Sequence, residues 1–216
     1  MRPLFSSFSL LFFSSLFFFN QSFAESSSEY VEKIHEDIVL VVRAKQGIYE
    51  ENPEEFIKAI SFALQPLVDF KRISRNVMGR YYKDANKEQI EKFNKVFKAS
   101  LLETYSKTLA EFKDEEILVS SQVKKSPKGN REKVSLQIVT STKIYPAVYD
   151  MYRNTQGQWK LINIVINGVN LVLTFRYQFY SLLEKEGNNL DVVIERWVTS
   201  ISVSYTHLTL PTNREV

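Results

Sequence analysis

Along the first half of the chain, apolar residues recur every three or four positions, the spacing of helices with one buried face. From Glu29 to Gln46, Val31, Ile34, Ile38 and Val41/Val42 share a face, with His35 beside it as a partly exposed helix residue rather than a ligand. Asn52-Pro53 followed by Glu54-Glu55 predicts a fresh start: a cap, a proline at the first helical position and acidic residues in the first turn. Phe56, Ile57, Ile60, Phe62, Ala63 and Leu64 carry that second helix up to Pro66. A short third helix with Phe70, Ile73, Val77 and Met78 on its apolar side ends at Gly79. The longest helical pattern runs from Asn86 to Phe112, with Ile90, Phe93, Phe97, Leu101, Tyr105, Leu109 and Phe112 forming a wide aromatic stripe.

The period then changes to two. Ile117, Val119 and Val123 alternate, the basic turn K-K-S-P-K-G-N-R follows, and Val134, Leu136 and Ile138 alternate on the return, which predicts a hairpin. Ala147, Tyr149 and Met151 continue as a third strand, with Pro146 suited to an edge or a bulge. Thr155-Gln156-Gly157 turns into Trp159–Ile166, a fourth strand apolar on both faces. Strict alternation there puts Leu161 and Val165 on one face and Ile162, Ile164 and Ile166 on the other. Gly168 turns the chain sharply into a helix bearing Val172, Phe175, Phe179 and Leu182. A last helix begins at Asn188-Asn189, with Leu190, Val193/Ile194, Trp197 and Ile201 on its apolar side. The order predicts an α+β fold: a curved antiparallel sheet of about four strands wrapped by about six helices. A strand apolar on both faces that feeds an amphipathic helix makes either a solid core or an internal apolar pocket.

Composition narrows the function. Met1-Arg2, the uncharged Phe/Leu/Ser run Leu4–Phe19 and Ser22-Phe23-Ala24 read as a secretory signal peptide, residues 1–24, cut after Ala24. The apolar run is short of the ~20 residues that span a bilayer. At the other end, V-S-Y-T-H-L from Val203 onward reads as translated sequencing adaptor, so 203–216 is expected to be a non-native tail. Residues 25–202 then form a single domain large enough for a substantial core. There is no cysteine, hence no disulfide or thiol chemistry, and the chain carries 28 basic and 25 acidic residues. That near balance argues against nucleic-acid binding. One histidine outside the tail makes a zinc site or a histidine triad improbable, so no metal, cofactor or catalytic residue is expected.

Four segments together resemble the MlaC, or toluene-tolerance, family of periplasmic phospholipid carriers of Gram-negative bacteria. They are L-Q-P-L-V-D-F-K-R-I-S-R-N-V-M-G-R-Y-Y (Leu64–Tyr82), E-Q-I-E-K-F-N-K-V-F (Glu88–Phe97), L-L-E-T-Y (Leu101–Tyr105) and G-Q-W-K-L-I-N-I-V-I-N-G-V-N-L (Gly157–Leu171). The resemblance runs from about Tyr30 to Ile201. It departs at Asn167, where the family often has Asp or Glu, and at Asn170, which replaces a frequent Ser. It implies a cone-like fold enclosing an internal apolar pocket for acyl chains. It also implies a monomer that binds no nucleic acid and approaches membranes without anchoring. Its implied partners are a phospholipid ligand, an outer-membrane lipoprotein–porin complex and an inner-membrane ABC transporter complex. The lining expected under that reading is Val77, Phe97, Leu101, Leu136, Tyr149, Met151, Ile164, Ile166, Val169 and Phe175, against plain core packing for each. Arg72, Arg75, Arg80 and Arg176 are candidates for the headgroup or a docking surface, against an ordinary surface role. Two rivals stay open. An isomerase-like enzyme would use a buried carboxylate, Asp69 or Asp150; a periplasmic chaperone or adaptor would use a groove for protein partners.

Overall fold

The computed structural model describes residues 25–112 and 115–204, with side chains up to residue 197. The expected leader, residues 1–24, therefore lies outside the described residues, as does the part of the expected tail from 205 on. Helix α1 (Ser27–Lys45) opens on a reciprocal cap in which Ser26 and Glu29 satisfy each other's backbone N–H. Helix α2 (Pro53–Leu64) starts at Asn52, whose side chain accepts from the Glu55 N–H, as the Asn-Pro-Glu-Glu pattern predicts. Helix α3 (Phe70–Met78) is capped by Asp69, and α4 (Lys87–Ala110) by an Asn86/Gln89 capping box. Helices α5 (Leu171–Lys185) and α6 (Leu190–Ser204) close the chain.

Between α4 and α5 lies a meander of β1 (Glu116–Lys125), β2 (Arg131–Val139), β3 (Ile144–Arg153), β4 (Trp159–Ile166) and the two-residue β5 (Val169–Asn170), antiparallel and paired in chain order. The sheet is curved and open. The fifth strand is one more than alternation predicts. Asn167 and Gly168 both have positive φ, so Asn-Gly forms a two-residue hairpin turn that brings Val169 opposite Ile166. Pro146 sits inside a central strand, not at an edge. Its carbonyl accepts from the Asn167 N–H, so the N–H it lacks would point the same way, beyond Ile166, the last β4 residue paired to β3.

A bulge resets the phase of β4. Asp150 pairs with Asn163 but Met151 pairs with Leu161, which leaves Ile162 as the extra residue. Leu161, Ile164 and Ile166 consequently stand opposite Met151, Tyr149 and Ala147 on one face. Strict alternation, which separated Leu161 from Ile164 and Ile166, fails for this reason. Leu161 also has its free edge occupied. Its N–H donates to the Leu67 carbonyl at 2.7 Å and its carbonyl accepts from the Asp69 N–H at 3.1 Å, so the α2–α3 link runs beside β4 as a short parallel bridge.

Two apolar cores result. The sheet core joins Val31, Ile34, Ile38 and Val42 of α1, Phe56 and Ile60 of α2, and Leu102 of α4 to the inward residues of β2, β3 and β4. The helical core joins Ile73, Val77 and Met78 of α3 to Phe93 and Phe97 of α4, Phe175 and Phe179 of α5, and Trp197 of α6. Its rings meet edge to face, with Phe93–Phe179 centroids at 4.9 Å and Phe97–Phe175 at 5.7 Å, the arrangement aromatic quadrupoles favour. Helix α4 belongs to both: Leu101 packs against the helical core and its neighbour Leu102 is buried in the sheet core. Val68 packs against both cores.

Gly79 ends α3 at φ 56° and ψ −121°, and a Cβ there would stand 2.2 Å from the Tyr180 hydroxyl oxygen. Tyr180 cannot easily retreat: it lies edge to face with Tyr81 at 5.1 Å and its hydroxyl accepts from the Arg80 N–H. Gly79→Ala is expected to lower unfolding free energy by about 1–3 kcal/mol, through positive-φ strain plus this clash. Adding Tyr180→Phe should restore part of the loss. Urea titration of the three proteins measures both effects; an unchanged midpoint in the single variant would contradict the geometry.

Candidate functional site: an amphipathic cleft over the seam of two cores

On the face of the sheet away from Tyr149 and Met151, a polar row crosses four strands. Lys124 of β1 lies opposite Lys133 of β2, Lys133 opposite Asp150 of β3, and Asp150 opposite Asn163 of β4. Lys133 pairs with one oxygen of Asp150, and Asn163 donates to the other at 2.8 Å. The Asn163 carbonyl oxygen then accepts from the backbone N–H of Val172, in the first turn of α5. One turn further, the Arg176 Nε donates to the Asn76 carbonyl at 2.7 Å and ties α5 to α3.

A cleft of about 550 Å³ opens along this row. Its apolar lining is Ile162 at the bulge, Val172 of the helical core, and Leu173; Met151 borders it from β3, although its side chain belongs to the opposite face of the sheet. Lys124, Lys125, Arg131, Lys133 and Arg176 also line it, against the carboxylates of Glu132 and Asp150. It therefore lies between the outer face of the sheet and α5, beside the helical core, and combines a partly apolar lining with an excess of positive charge. Nothing in it resembles a catalytic constellation. Asp69 is occupied as the cap of α3, its Oδ1 accepting from the Arg72 N–H at 2.9 Å. Asp150 does not face inward among Tyr149 and Met151 but outward, held by Lys133 and Asn163. Among the described residues no cluster of side chains has the make-up of a metal site. No described helix is long and apolar enough to cross a membrane.

The MlaC protein family model matches residues 32–199. The chain belongs to that family. It is 30% identical over 181 residues to the toluene tolerance protein ttg2D of Pseudomonas putida, covering 83% of each chain. It is 26% identical over 164 residues to the intermembrane phospholipid transport system binding protein MlaC of Haemophilus influenzae, covering 74% of this chain and 75% of the relative. Its fold matches that of a phospholipid-binding protein from Ralstonia solanacearum, solved in complex with a phospholipid, with a TM-score of 0.72 at 20% identity over 82% of this chain and 99% of that one. The α+β architecture expected from the sequence is thus that of an MlaC-family domain.

The ten residues expected to line a pocket fall on both sides of α4. Val77, Phe97 and Phe175 are buried in the helical core, with Leu101 packed against it. Leu136, Tyr149 and Met151 are buried in the sheet core, with Ile164 and Ile166 half-buried against it. Val169 is instead exposed on β5, as Leu173 and Tyr177 are on α5. Of the four candidate arginines, Arg176 alone lines the cleft. Arg72 stacks on Tyr152 at 3.8 Å, Arg75 on Tyr82 at 4.7 Å, and Arg80 on Tyr81 at 4.9 Å. Arg80 also borders a second cleft, of about 580 Å³, with Tyr177, Tyr180 and Glu184. Lys133 and Asp150 were missed as partners in a charged row. The alternation that places Val134 and Leu136 inward also places Lys133 outward, but only the β2–β3 register sets it against Asp150.

His35 is buried, not partly exposed. The helix turns it under Val31, whose carbonyl lies 2.8 Å from Nδ1; a carbonyl only accepts, so Nδ1 carries the proton. Nε2 is then the acceptor for the Tyr149 hydroxyl at 3.0 Å. Burial pushes the His35 pKa below the usual 6.5, against the opposing pull of the Val31 carbonyl, and burial raises that of Tyr149. The unfolded chain therefore binds the histidine proton first as pH falls. Stability tied to neutral His35 is complete above about pH 6.5 and declines below it. Melting temperature is expected to drop between pH 7 and 5, with a shallower slope in His35→Gln. Tyr149→Phe, which orphans Nε2, should cost about 1–3 kcal/mol at pH 7. Differential scanning calorimetry across that range checks both; equal slopes in wild type and His35→Gln would remove His35 as the titrating group.

Proposed function

We propose that this protein is a periplasmic phospholipid carrier, exported by a leader cut after Ala24. In this reading it holds acyl chains between its two apolar cores and moves lipid between the outer and inner membranes. The observation that carries the proposal is the amphipathic cleft. Apolar surface from Ile162, Val172 and Leu173 meets a charged rim there, in a chain whose family and fold are shared with proteins named for phospholipid binding and intermembrane phospholipid transport. The lining assigned to the tails is Val77, Phe97, Leu101, Leu136, Tyr149, Met151, Ile164, Ile166 and Phe175, reached along Val68 and Ile162. Val169, exposed on β5, is left out of that lining. An outer-membrane lipoprotein–porin complex and an inner-membrane ABC transporter are the expected donor and acceptor.

The energetics suit a carrier. About 30 methylenes moved from water gain about 24 kcal/mol at ~0.8 kcal/mol each, beyond the ceiling of non-covalent affinity near ~20 kcal/mol. Water is the wrong reference, because the tails leave one dry phase for another. Exchange between bilayer and protein is then nearly balanced, and no catalytic group is needed to drive it. Asp150, paired with Lys133 on the rim, is poorly placed to act as an isomerase base.

Organic extraction of the purified protein followed by mass spectrometry should yield phospholipid. Recovery of peptide would favour a chaperone or adaptor, and turnover of a small apolar substrate without lipid would favour an enzyme. Ile164→Asp, with its far-UV circular dichroism unchanged, should lose the lipid; full loading would take Ile164 out of the lining.

A further inference from the structure

We infer that the cleft is an anion site, and that it favours phosphate-bearing amphiphiles of net negative charge over zwitterionic ones. This rests on the carrier reading for the source of the amphiphile; the anion site itself rests on the charged row. Five cations and two carboxylates line the cleft, an excess of three positive charges. Lys133 is matched by Asp150, and Lys125 approaches Glu132 at 3.9 Å. Lys124 and Arg131 form no ion pair among the described residues. Lys124 moreover lies directly opposite Lys133, whose charge Asp150 already matches, so the excess charge of that cross-strand pair rests on Lys124. The Arg176 guanidinium is held in the cleft by the Asn76 carbonyl, so its charge is fixed before a ligand arrives.

Charge of one sign inside a concave wall focuses the field at the mouth. A phosphodiester with a neutral remainder carries one negative charge into that field. A zwitterionic headgroup brings a compensating cation that the same lysines repel. The apolar floor of Ile162, Val172 and Leu173 distinguishes the two phosphate sources: it suits the first carbons of an acyl glycerol and offers inorganic phosphate nothing.

The test compares mature wild-type protein with Lys124→Glu/Arg131→Glu, a pair that removes a like-charge contact and so does not threaten the fold; Lys124→Gln/Arg131→Gln is the milder second variant. Each is incubated with vesicles of equimolar phosphatidylglycerol and phosphatidylcholine, re-isolated, and its lipid read by mass spectrometry. Wild type should capture phosphatidylglycerol preferentially, and the ratio should fall roughly tenfold in the charge-reversed variant and shrink in wild type at high salt. Equal ratios in all three proteins would overturn the lipid-headgroup assignment. In parallel, inorganic phosphate is titrated against the Asn163 and Val172 amides by NMR. Shifts lost in the variants, without any headgroup preference, support an anion site for free phosphate. No shifts and no preference overturn the anion site. Wild type that captures no lipid refutes the carrier reading, and the phosphate titration then decides the anion site alone.

Discussion

Leu161 holds the two halves of the molecule together. Its side chain belongs to the sheet core, while both of its backbone groups are bonded to the link between α2 and α3. A strand edge can be used this way only if it is not already paired, and β5 covers only the far end of β4, at Val165 and Ile166. Buried backbone groups must find partners, so the edge of β4 divides between two clients: β5 at one end and the segment Leu67–Asp69 at the other. That division sets α3 beside the sheet, α5 over Asn163, and the helical core next to the sheet core rather than across from it. The cleft is what remains between them.

The bulge at Ile162 makes this arrangement consistent with side-chain chemistry. Without it, the alternation of β4 would send Leu161 to the opposite face from Ile164 and Ile166, and one apolar set would lose its core. With it, all three face inward and Asn163 faces the cleft, where it bridges Asp150 to the first turn of α5. One inserted residue therefore serves both the dry side and the polar side of the strand.

The helices were legible because their ends carry chemistry as well as period. Asn52-Pro53 caps where its side chains predict. The sheet order followed from short turns, which favour a meander. Period alone could not reveal the bulge, since a run apolar on both faces looks the same with or without an extra residue. The fifth strand has a local mark in the Asn167-Gly168 pair, whose two positive φ angles make a hairpin turn and not a plain strand-to-helix turn at Gly168. The candidate site was half legible. Apolar positions were found by spacing, yet spacing does not say which of two cores a residue joins; Phe97 and Leu136 look alike along the chain and lie in different ones. The charged row was invisible because its members come from four strands and meet only through register. The arginines of α3 and the turn after it have the spacing of anion ligands, but Tyr152, Tyr82 and Tyr81 stack on three of them.

Because α4 is a wall common to both cores, neither can change volume in private. Leu101 and Leu102 are successive residues on one rigid rod, and a tilt that makes room on one side takes it from the other. A larger side chain at Phe97 therefore presses, through the helix, on the packing around Leu102.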